Sequence, residues 1–227
     1  MKKLPVTFAI LVSIFSWSCR NNDPPAGITS GRIDYQITYL NDDLDKKTRS
    51  VLPSKMKLSF NESQASNNIE GFMGMYKLNA FTNFHTRKCS TMLKVFDKHY
   101  LFKGSRDEQM CCFDTMEDME IIETNETKTI AGFECRKALV KLPSNNESFA
   151  IYYTNQITLR HPNATNPYRK VKGVLMEFEL RLMHLNMKFV AESFHNLDTA
   201  SLEPRPNHES KQVSRSQMTQ ILNMLIQ

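Results

Sequence analysis

The sequence lacks the motifs by which most hydrolases and nucleotide-binding enzymes are recognised. Its 227 residues contain no GxSxG elbow, no P-loop, no GxGxxG turn and no HExxH helix. The six histidines lie far apart in the sequence, and none has a partner at metal-ligand spacing. We therefore expect a protein that is not an enzyme, that needs no cofactor and that has no metal site.

Glycine is scarce, and long runs of basic residues are missing. Seven glycines and nine prolines are too few for a collagen-like or low-complexity chain, and 10% aromatic residues exclude wholesale disorder. The formal net charge is only +5, and no basic run exceeds three residues, so nucleic acid is not an expected partner. The length suits one domain with a hydrophobic core.

The N-terminus has the layout of a lipoprotein leader. Two lysines precede the apolar segment Leu4–Phe15, which is shorter than the ~20 residues that span a bilayer. The run FSWSC, which ends at Cys19, resembles a bacterial lipobox. We expect a signal peptide over 1–18, acylation of Cys19, and a flexible tether over 19–30, so that acyl chains bind the protein to a membrane. The alternative is an ordinary secretory leader with an accidental cysteine.

The region 31–197 is predicted to form one mainly β domain. Apolar and polar residues alternate with the period of a half-buried strand. Strands are predicted at 33–39, 56–60, 69–78, 92–96, 99–102, 117–123, 133–142, 148–154, 174–181 and 187–191. Polar turns or loops are predicted at 41–54, 61–68, 124–129 and 161–172. Because no helices alternate with these strands, we expect an antiparallel sheet or an open barrel.

The C-terminal segment, 198–227, differs from the rest. It begins as a polar strap with two prolines and ends in an apolar stripe at helical spacing. The stripe consists of Met218, Ile221, Leu222 and Leu225. We expect a short amphipathic helix that docks on its own domain, while a partner protein and a membrane are the alternative contacts.

Four cysteines follow Cys19 in the sequence. They are Cys89, Cys111, Cys112 and Cys135. An exported chain can form disulfides, and a bond between adjacent cysteines closes a strained eight-membered ring. Pairing of Cys111 or Cys112 with Cys135 or Cys89 is therefore favoured, with free buried thiols and redox chemistry as alternatives.

Two further sets of residues are candidates for modification and for ligand contact. Thr115 and Thr199 each stand between an aspartate and an apolar residue, which resembles the O-glycosylation acceptor of Bacteroidetes envelope proteins. Flexible methionine side chains suit an adaptable apolar cavity, although they are also common core residues. The candidate ligand contacts are Met73, Met75, Met92, Met176 and Met187.

The segment KTIAGFECRKA, residues 128–138, is similar to the K-x-I-x-G-Y-x-C-x-K-A strand of Bacteroidetes envelope proteins in the GLPGLI family. Residues 31–35, 152–157 and 168–177 resemble other motifs of that family, although the third segment lacks its Gly and Pro. Several relatives look like the lipoprotein carriers LolA and LppX. That resemblance implies a strongly curved antiparallel sheet, a half-barrel, whose concave side is closed by helices or loops. It also implies an apolar cavity that can hold acyl chains.

Two functions follow as expectations. The first is a lipid-anchored envelope protein that binds a lipid or another apolar ligand in a half-barrel cavity. The second is an accessory subunit of an outer-membrane or cell-surface assembly. A contiguous apolar cavity is expected for the first, and a filled core with an exposed apolar patch for the second. Because only Asp23 is acidic soon after Cys19, we expect an outer-membrane lipoprotein that faces the periplasm.

Overall fold

The structure is a computed structural model that describes residues 27–105, 111–197, 201–204 and 209–225. Its strands are β1 (Gly31–Tyr39), β2 (Lys55–Phe60), β3 (Gln64–Glu70), β4 (Tyr76–Asn83), β5 (Lys88–Val95), β6 (Lys98–Ser105), β7 (Glu120–Ile130), β8 (Phe133–Leu142), β9 (Glu147–Thr154), β10 (Val174–Leu182), β11 (Leu185–His195) and β12 (Lys211–Gln212). Its helices are α1 (Lys46–Val51) and α2 (Arg215–Leu225). Strands make up 54% of the described residues, which confirms the predicted mainly β class.

All twelve strands belong to one open, curved sheet, in the order β12-β6-β5-β4-β3-β2-β1-β11-β10-β9-β8-β7. Neighbouring strands are antiparallel except β12 and β6, which are parallel, so the prediction of an antiparallel sheet holds for every other pair. The first strand lies in the middle of the sheet and joins β2–β6 to β7–β11. A sheet this wide curls because each strand twists relative to its neighbour.

The alternation in β1 defines the concave face of the sheet. Ile33, Tyr35 and Ile37 are buried, whereas the residues between them are partly exposed. Tyr35 lies opposite Met56 of β2 and Ala191 of β11, so the apolar rows of three strands meet at this point. The hydrophobic core therefore lies on the concave side, as period-two patterning requires.

The curved sheet has two ends. The tip end carries the β3–β4, β5–β6, β8–β9 and β10–β11 turns. The loop end carries the β2–β3, β4–β5 and β7–β8 turns together with the loop 155–173. Ile28 pairs with Ile157 at the loop end, so the polypeptide that precedes β1 approaches the sheet from that side.

The prediction of one strand over 69–78 is wrong, because a turn interrupts it. The Gly71 N–H donates to the Tyr76 carbonyl oxygen at 3.0 Å and closes the β3–β4 connection. Met73 and Gly74 have φ angles of 50° and 70°, in the left-handed region that strands do not use. The chain reverses here, and Ile69 faces Leu78 across the resulting hairpin.

The segment predicted as the turn 61–68 belongs largely to β3. Its polar side chains form hydrogen bonds across the sheet: the Asn79 side-chain amide donates to Ser66 Oγ at 2.9 Å and to Asn68 Oδ1 at 2.7 Å. Polar composition indicated a turn because asparagine and serine favour turns. Cross-strand pairing with β4, which is remote in sequence, determines the actual conformation.

The predicted turn 124–129 also lies within a strand. β7 continues through a bulge to Ile130, and the reversal occurs at Ala131 and Gly132, whose φ angles are 49° and 85°. Two residues with positive φ form the type of tight turn that matches the twist of a β-hairpin. The Thr124 hydroxyl donates to the Lys137 carbonyl oxygen at 3.0 Å and satisfies one acceptor at the bulge.

The predicted loop 41–54 contains the short helix α1. Asp45 caps its N-terminus, because its carboxylate accepts from the backbone N–H of Lys47 at 2.7 Å and of Thr48 at 3.1 Å. Hydrogen bonds from the Thr48 side chain and backbone lower the pKa of Asp45. One turn of helix is too short for a detectable apolar period, which is why the pattern indicated only a loop.

The C-terminal helix forms where the apolar stripe predicted it. In α2, Met218 and Leu222 are buried against the core, while Ile221 and Leu225 pack at its margin. The helix therefore docks on its own domain, as predicted. The strand β12, which the sequence did not indicate, precedes the helix and pairs with β6.

Candidate ligand-binding interior

Aromatic side chains fill the centre of the concave face. The rings of Phe178 and Phe189 stack with centroids 5.0 Å apart, and Tyr35 meets Phe178 edge to face at 5.8 Å. The Tyr35 hydroxyl donates to the Leu175 carbonyl oxygen at 2.8 Å. Burial raises the pKa of Tyr35 far above its ordinary value, so the phenol stays neutral and serves packing.

The loop 155–173 covers part of this face. The Asn163 side-chain amide is buried and donates to the carbonyl oxygens of Val171 at 2.8 Å and Gly173 at 2.9 Å. Tyr168 is also buried; its ring lies 6.2 Å from that of Phe178, and its hydroxyl donates to a β10 carbonyl oxygen. The loop is therefore a packed cover that is held by its own hydrogen bonds, by the pairing of Ile157 with Ile28 and by buried side chains that include those of Leu159 and Tyr168.

A first cavity of about 60 Å³ lies between this loop and the concave face of β1–β4. Apolar side chains form most of its wall, including those of Tyr35, Leu78 and Phe178, and the Asn67 and Asn163 amides contribute polar groups. A few convergent polar groups in an apolar wall are the usual composition of a small-molecule site. The polar groups here belong to neutral residues.

A second cavity of about 40 Å³ lies at the tip end, beneath α2. Its wall is almost entirely apolar and combines Tyr39 and Tyr76 from the sheet with Leu222 and Leu225 from the helix. Because α2 forms one side of this cavity, movement of the helix would open the interior at the tip end.

Phe113 separates the two cavities. Together with Ile69 and Leu78, it lines both of them. It belongs to the segment between β6 and β7, which is attached to the sheet where Phe113 pairs with Leu182 and where the Asp114 N–H donates to the Arg181 carbonyl oxygen at 2.9 Å. No periodicity marks this segment, so the sequence carried no signal for its place in the interior.

The cavities are small in this conformation. Pockets that hold drug-sized ligands usually measure about 300–1,000 Å³, whereas these measure about 60 and 40 Å³. The interior is thus packed, and an acyl chain could enter only if Phe113, α2 or the covering loop moved.

The five candidate methionines do not line one common cavity. Met176 and Met187 are buried on neighbouring strands, and Met187 lines the second cavity. Met92 lies on the opposite face of β5 from the buried Leu93. Met73 and Met75 lie in or beside the β3–β4 turn and are exposed, so their assignment to an interior site is wrong. The assignment assumed a continuous strand where the chain makes a turn.

The favoured disulfide pairings are also wrong. Cys111 and Cys112 are joined to each other, and Cys135 is a free thiol. Cys89 lies on β5, where its thiol donates to the Ser105 carbonyl oxygen at 3.1 Å. Packing explains this, because Cys111 and Cys112 lie against Arg215 and Thr219 of α2, whereas the other two cysteines are fixed in the strands β5 and β8.

The bonded pair lies against α2, whereas Cys135 is enclosed by the sheet. The Thr219 hydroxyl of α2 lies 3.4 Å from the Cys112 sulfur. Cys135 is fully buried, and burial raises the pKa of its thiol to about 11. A thiol with this pKa is neutral near pH 7 and a poor nucleophile.

Two lysines hold a buried carboxylate on the convex face of β10. Glu177 Oε2 accepts from Lys128 Nζ at 2.5 Å, and its Oε1 lies 2.7 Å from Lys188 Nζ. Burial raises the pKa of Glu177, but the hydrogen bonds and charges of the two lysines outweigh that effect and lower it overall. The Lys128 ammonium also lies over the ring of Tyr152, 4.2 Å from its centroid. This cluster ties β7 to β10 and β11.

A serine, a histidine and an aspartate meet near the end of β11, but not in the arrangement of a catalytic triad. His195 Nε2 lies 3.1 Å from Ser193 Oγ and 3.3 Å from Asp34 Oδ2. A triad uses the two ring nitrogens for the two partners, whereas both contacts here involve the same nitrogen. Asp34 is moreover paired with Arg32 at 2.9 Å.

Some of the other predicted residues lie outside the described ranges. The signal peptide, Cys19 and Thr199 are in this group. Thr115 is described and exposed, two residues after Phe113, so an acceptor hydroxyl is accessible there.

Within residues 27–105, 111–197, 201–204 and 209–225, no three His, Cys, Asp or Glu side chains are grouped as metal ligands. In the same ranges no helix has the length and apolar character needed to cross a bilayer.

The chain matches no protein-family model and no curated protein. Among solved structures, it is similar to a β-barrel-like protein of a domain of unknown function, DUF1849, from Brucella abortus. The two sequences are 8% identical, the TM-score is 0.40, and the match covers 76% of this chain and all of the other.

Proposed function

We propose that this protein is a non-catalytic, lipid-anchored envelope protein that takes a slender apolar ligand, such as a single acyl chain, into the interior of its curved sheet. The observation that carries the proposal is the pair of mainly apolar cavities whose walls share Phe113, Ile69 and Leu78. The resemblance of residues 128–192 to GLPGLI-type proteins, several relatives of which look like lipoprotein carriers, supports the same function.

The elements that close the interior are not part of the sheet, so they can move without breaking it. The loop 155–173 is attached by the Ile28–Ile157 bridge and by buried residues that include Tyr168, whereas α2 buries only Met218 and Leu222, so the helix is the more easily displaced of the two. Displacement of α2 and rotation of the Phe113 ring would join the two cavities into one passage from the tip end. We infer that the ligand enters there and that the present conformation is the closed one.

The test is native mass spectrometry of the protein purified without detergent from its own type of envelope. A stoichiometric bound lipid or fatty acid is the expected result. A mass without ligand, together with no uptake of added palmitic acid, would contradict the proposal.

A matched pair of variants sharpens this test. Phe113→Ala removes the partition and is expected to increase uptake of a fluorescent fatty acid, although cavity formation costs about 3–4 kcal/mol of stability. Phe60→Ala is the control, because Phe60 is fully buried yet lines neither cavity. Equal uptake by both variants would mean that general loosening, and not the partition, admits the probe.

A second candidate function is that of an accessory subunit in an envelope protein assembly. The small volume of the two cavities favours it, because a filled core needs no ligand. In-cell crosslinking of the full-length protein would then capture a defined partner, while the purified protein would carry no lipid.

A further inference from the structure

Two neighbouring turns at the tip end expose large apolar side chains. Met73 and Met75 of the β3–β4 turn are 85% and 39% exposed, and Phe96 of the β5–β6 turn is 63% exposed. The Phe96 N–H donates to the Met75 carbonyl oxygen at 2.7 Å, so the two turns are joined. We call these three residues the hairpin-tip patch.

The backbone of the hairpin-tip patch is held in an unfavourable conformation. Met73 and Phe96 have φ angles of 50° and 52°, in the left-handed region that glycine or asparagine normally occupies. Glycine would be more stable than either residue in this conformation. Non-glycine residues with positive φ also occupy other hairpin turns, at Arg87, Asn146 and Met183. The feature particular to the hairpin-tip patch is therefore that its large apolar side chains face solvent.

The strands behind the hairpin-tip patch are strongly basic. Within the strands β2–β6 the only acidic residue is Glu70, and Asp97 lies beside Phe96 in the β5–β6 turn. The same strands contain seven lysines, of which the last two lie toward the loop end: Lys55, Lys57, Lys77, Lys94, Lys98, Lys88 and Lys103. Like charges directly opposite one another destabilise a sheet. Lys77 nevertheless lies directly opposite Lys94, which in turn lies opposite His99. One ion pair, Lys77 with Glu70 at 3.3 Å, offsets part of this charge.

We propose that the hairpin-tip patch inserts into a membrane that contains anionic phospholipid, while Lys77 and Lys94 bind the lipid headgroups. Exposed Met and Phe side chains gain free energy by entering the acyl region, and nearby lysines add electrostatic attraction to an anionic surface. This surface is additional to the predicted acyl anchor, because the chain before β1 approaches the opposite, loop end.

Charge and area favour a membrane over a second copy of the chain as the occupant. Two copies would bring basic strands together, whereas an anionic bilayer complements them. Three side chains also bury far less than the ~800 Å² per partner that a stable protein interface needs. Insertion of a few side chains with electrostatic support is, in contrast, sufficient for reversible membrane binding. The inference does not depend on ligand binding in the interior.

The experiment places a single tryptophan in the hairpin-tip patch. The protein is produced without the predicted leader 1–18, which removes the apolar segment Leu4–Phe15 and the only natural tryptophan, Trp17, and it carries Cys19→Ser, so that no acyl anchor forms. Phe96→Trp then reports insertion through a blue shift and through quenching by brominated acyl chains. Leu40→Trp is the matched control, because Leu40 is also at the tip end and 40% exposed but belongs to the β1–α1 connection.

We expect quenching of the Phe96→Trp reporter by vesicles of phosphatidylglycerol and phosphatidylcholine, and little by phosphatidylcholine alone. Lys77→Gln and Lys94→Gln should each weaken vesicle binding about fivefold, and added salt should weaken it further. No quenching at Phe96→Trp, or equal quenching at Leu40→Trp, would overturn the proposal. A blue shift that needs no lipid and grows with protein concentration would also overturn it, and would identify self-association instead.

Discussion

At the residue scale, the best-defined interaction outside the interior is the one around Glu177. Its carboxylate is buried and contacts two lysines from different strands, Lys128 and Lys188. Removing one member of a buried ion pair usually costs about 3–5 kcal/mol. Both lysines are partly exposed, however, and can turn toward water when the carboxylate is lost. The cost should therefore be smaller.

We predict that Glu177→Gln lowers the free energy of unfolding by about 1–2 kcal/mol at pH 7. Because the folded-state pKa of Glu177 is lowered, its contribution is fully present above the unfolded-state pKa of about 4.3 and is lost as the pH falls through the folded value. Urea unfolding from pH 7 to pH 3 should show the difference between wild type and variant shrinking toward acid.

The control for this prediction is Glu126→Gln. Glu126 pairs with Lys137 at 2.8 Å, but its side chain is mostly exposed. Its replacement should leave the unfolding midpoint unchanged within error. A pH-independent loss at Glu177, equal to the loss at pH 7, would show that packing and not charge accounts for the effect.

At the scale of elements, α2 closes the tip end with very little buried surface. Met218 and Leu222 are its buried residues, and Leu222 also lines the second cavity. A helix held by two side chains can detach at modest cost, because local openings have lower free energies than global unfolding. The tip end is thus the expected site of opening.

We predict that Leu222→Ala destabilises the docked helix by about 2–4 kcal/mol, since a buried leucine is lost from a packed site. Hydrogen exchange of the 215–225 amides should accelerate selectively, while the β1 amides remain protected. Met224→Ala, at a position that is 71% exposed, is the control and should change neither. Equal acceleration in β1 and α2 would indicate global unfolding and contradict a separable helix.

At the scale of the whole molecule, one strand joins the two halves of the sheet. β1 pairs with β2 on one side and with β11 on the other, and its buried residues belong to the single core. Neither β2–β6 nor β7–β11 has a separate core, so neither half should persist without the other.

We therefore predict a single cooperative unfolding transition. Far-ultraviolet circular dichroism and tyrosine fluorescence should report the same midpoint in urea, because a two-state protein gives coincident transitions. Two separated midpoints would show that the halves unfold independently. The pairing of β1 with β11 would then not couple the two halves of the sheet.

The sequence by itself determined the local features that depend on neighbouring residues. Strict alternation identified β1, β2 and β10, and the apolar stripe identified α2, because burial of one face imposes the period on the residues themselves. These patterns were enough for the mainly β class, an antiparallel sheet and a terminal helix, whereas the curvature of the sheet was expected only from the family resemblance.

Only the tertiary structure decided the features that depend on remote partners. The Asn-rich segment of β3 is a strand because β4 pairs with it, and Phe113 enters the interior because its segment bonds to β10. The same holds for the cysteines, since Cys111 and Cys112 lie against α2, which is remote from them in sequence. Cross-strand hydrogen bonds and packing join residues far apart in sequence, and no local period records them.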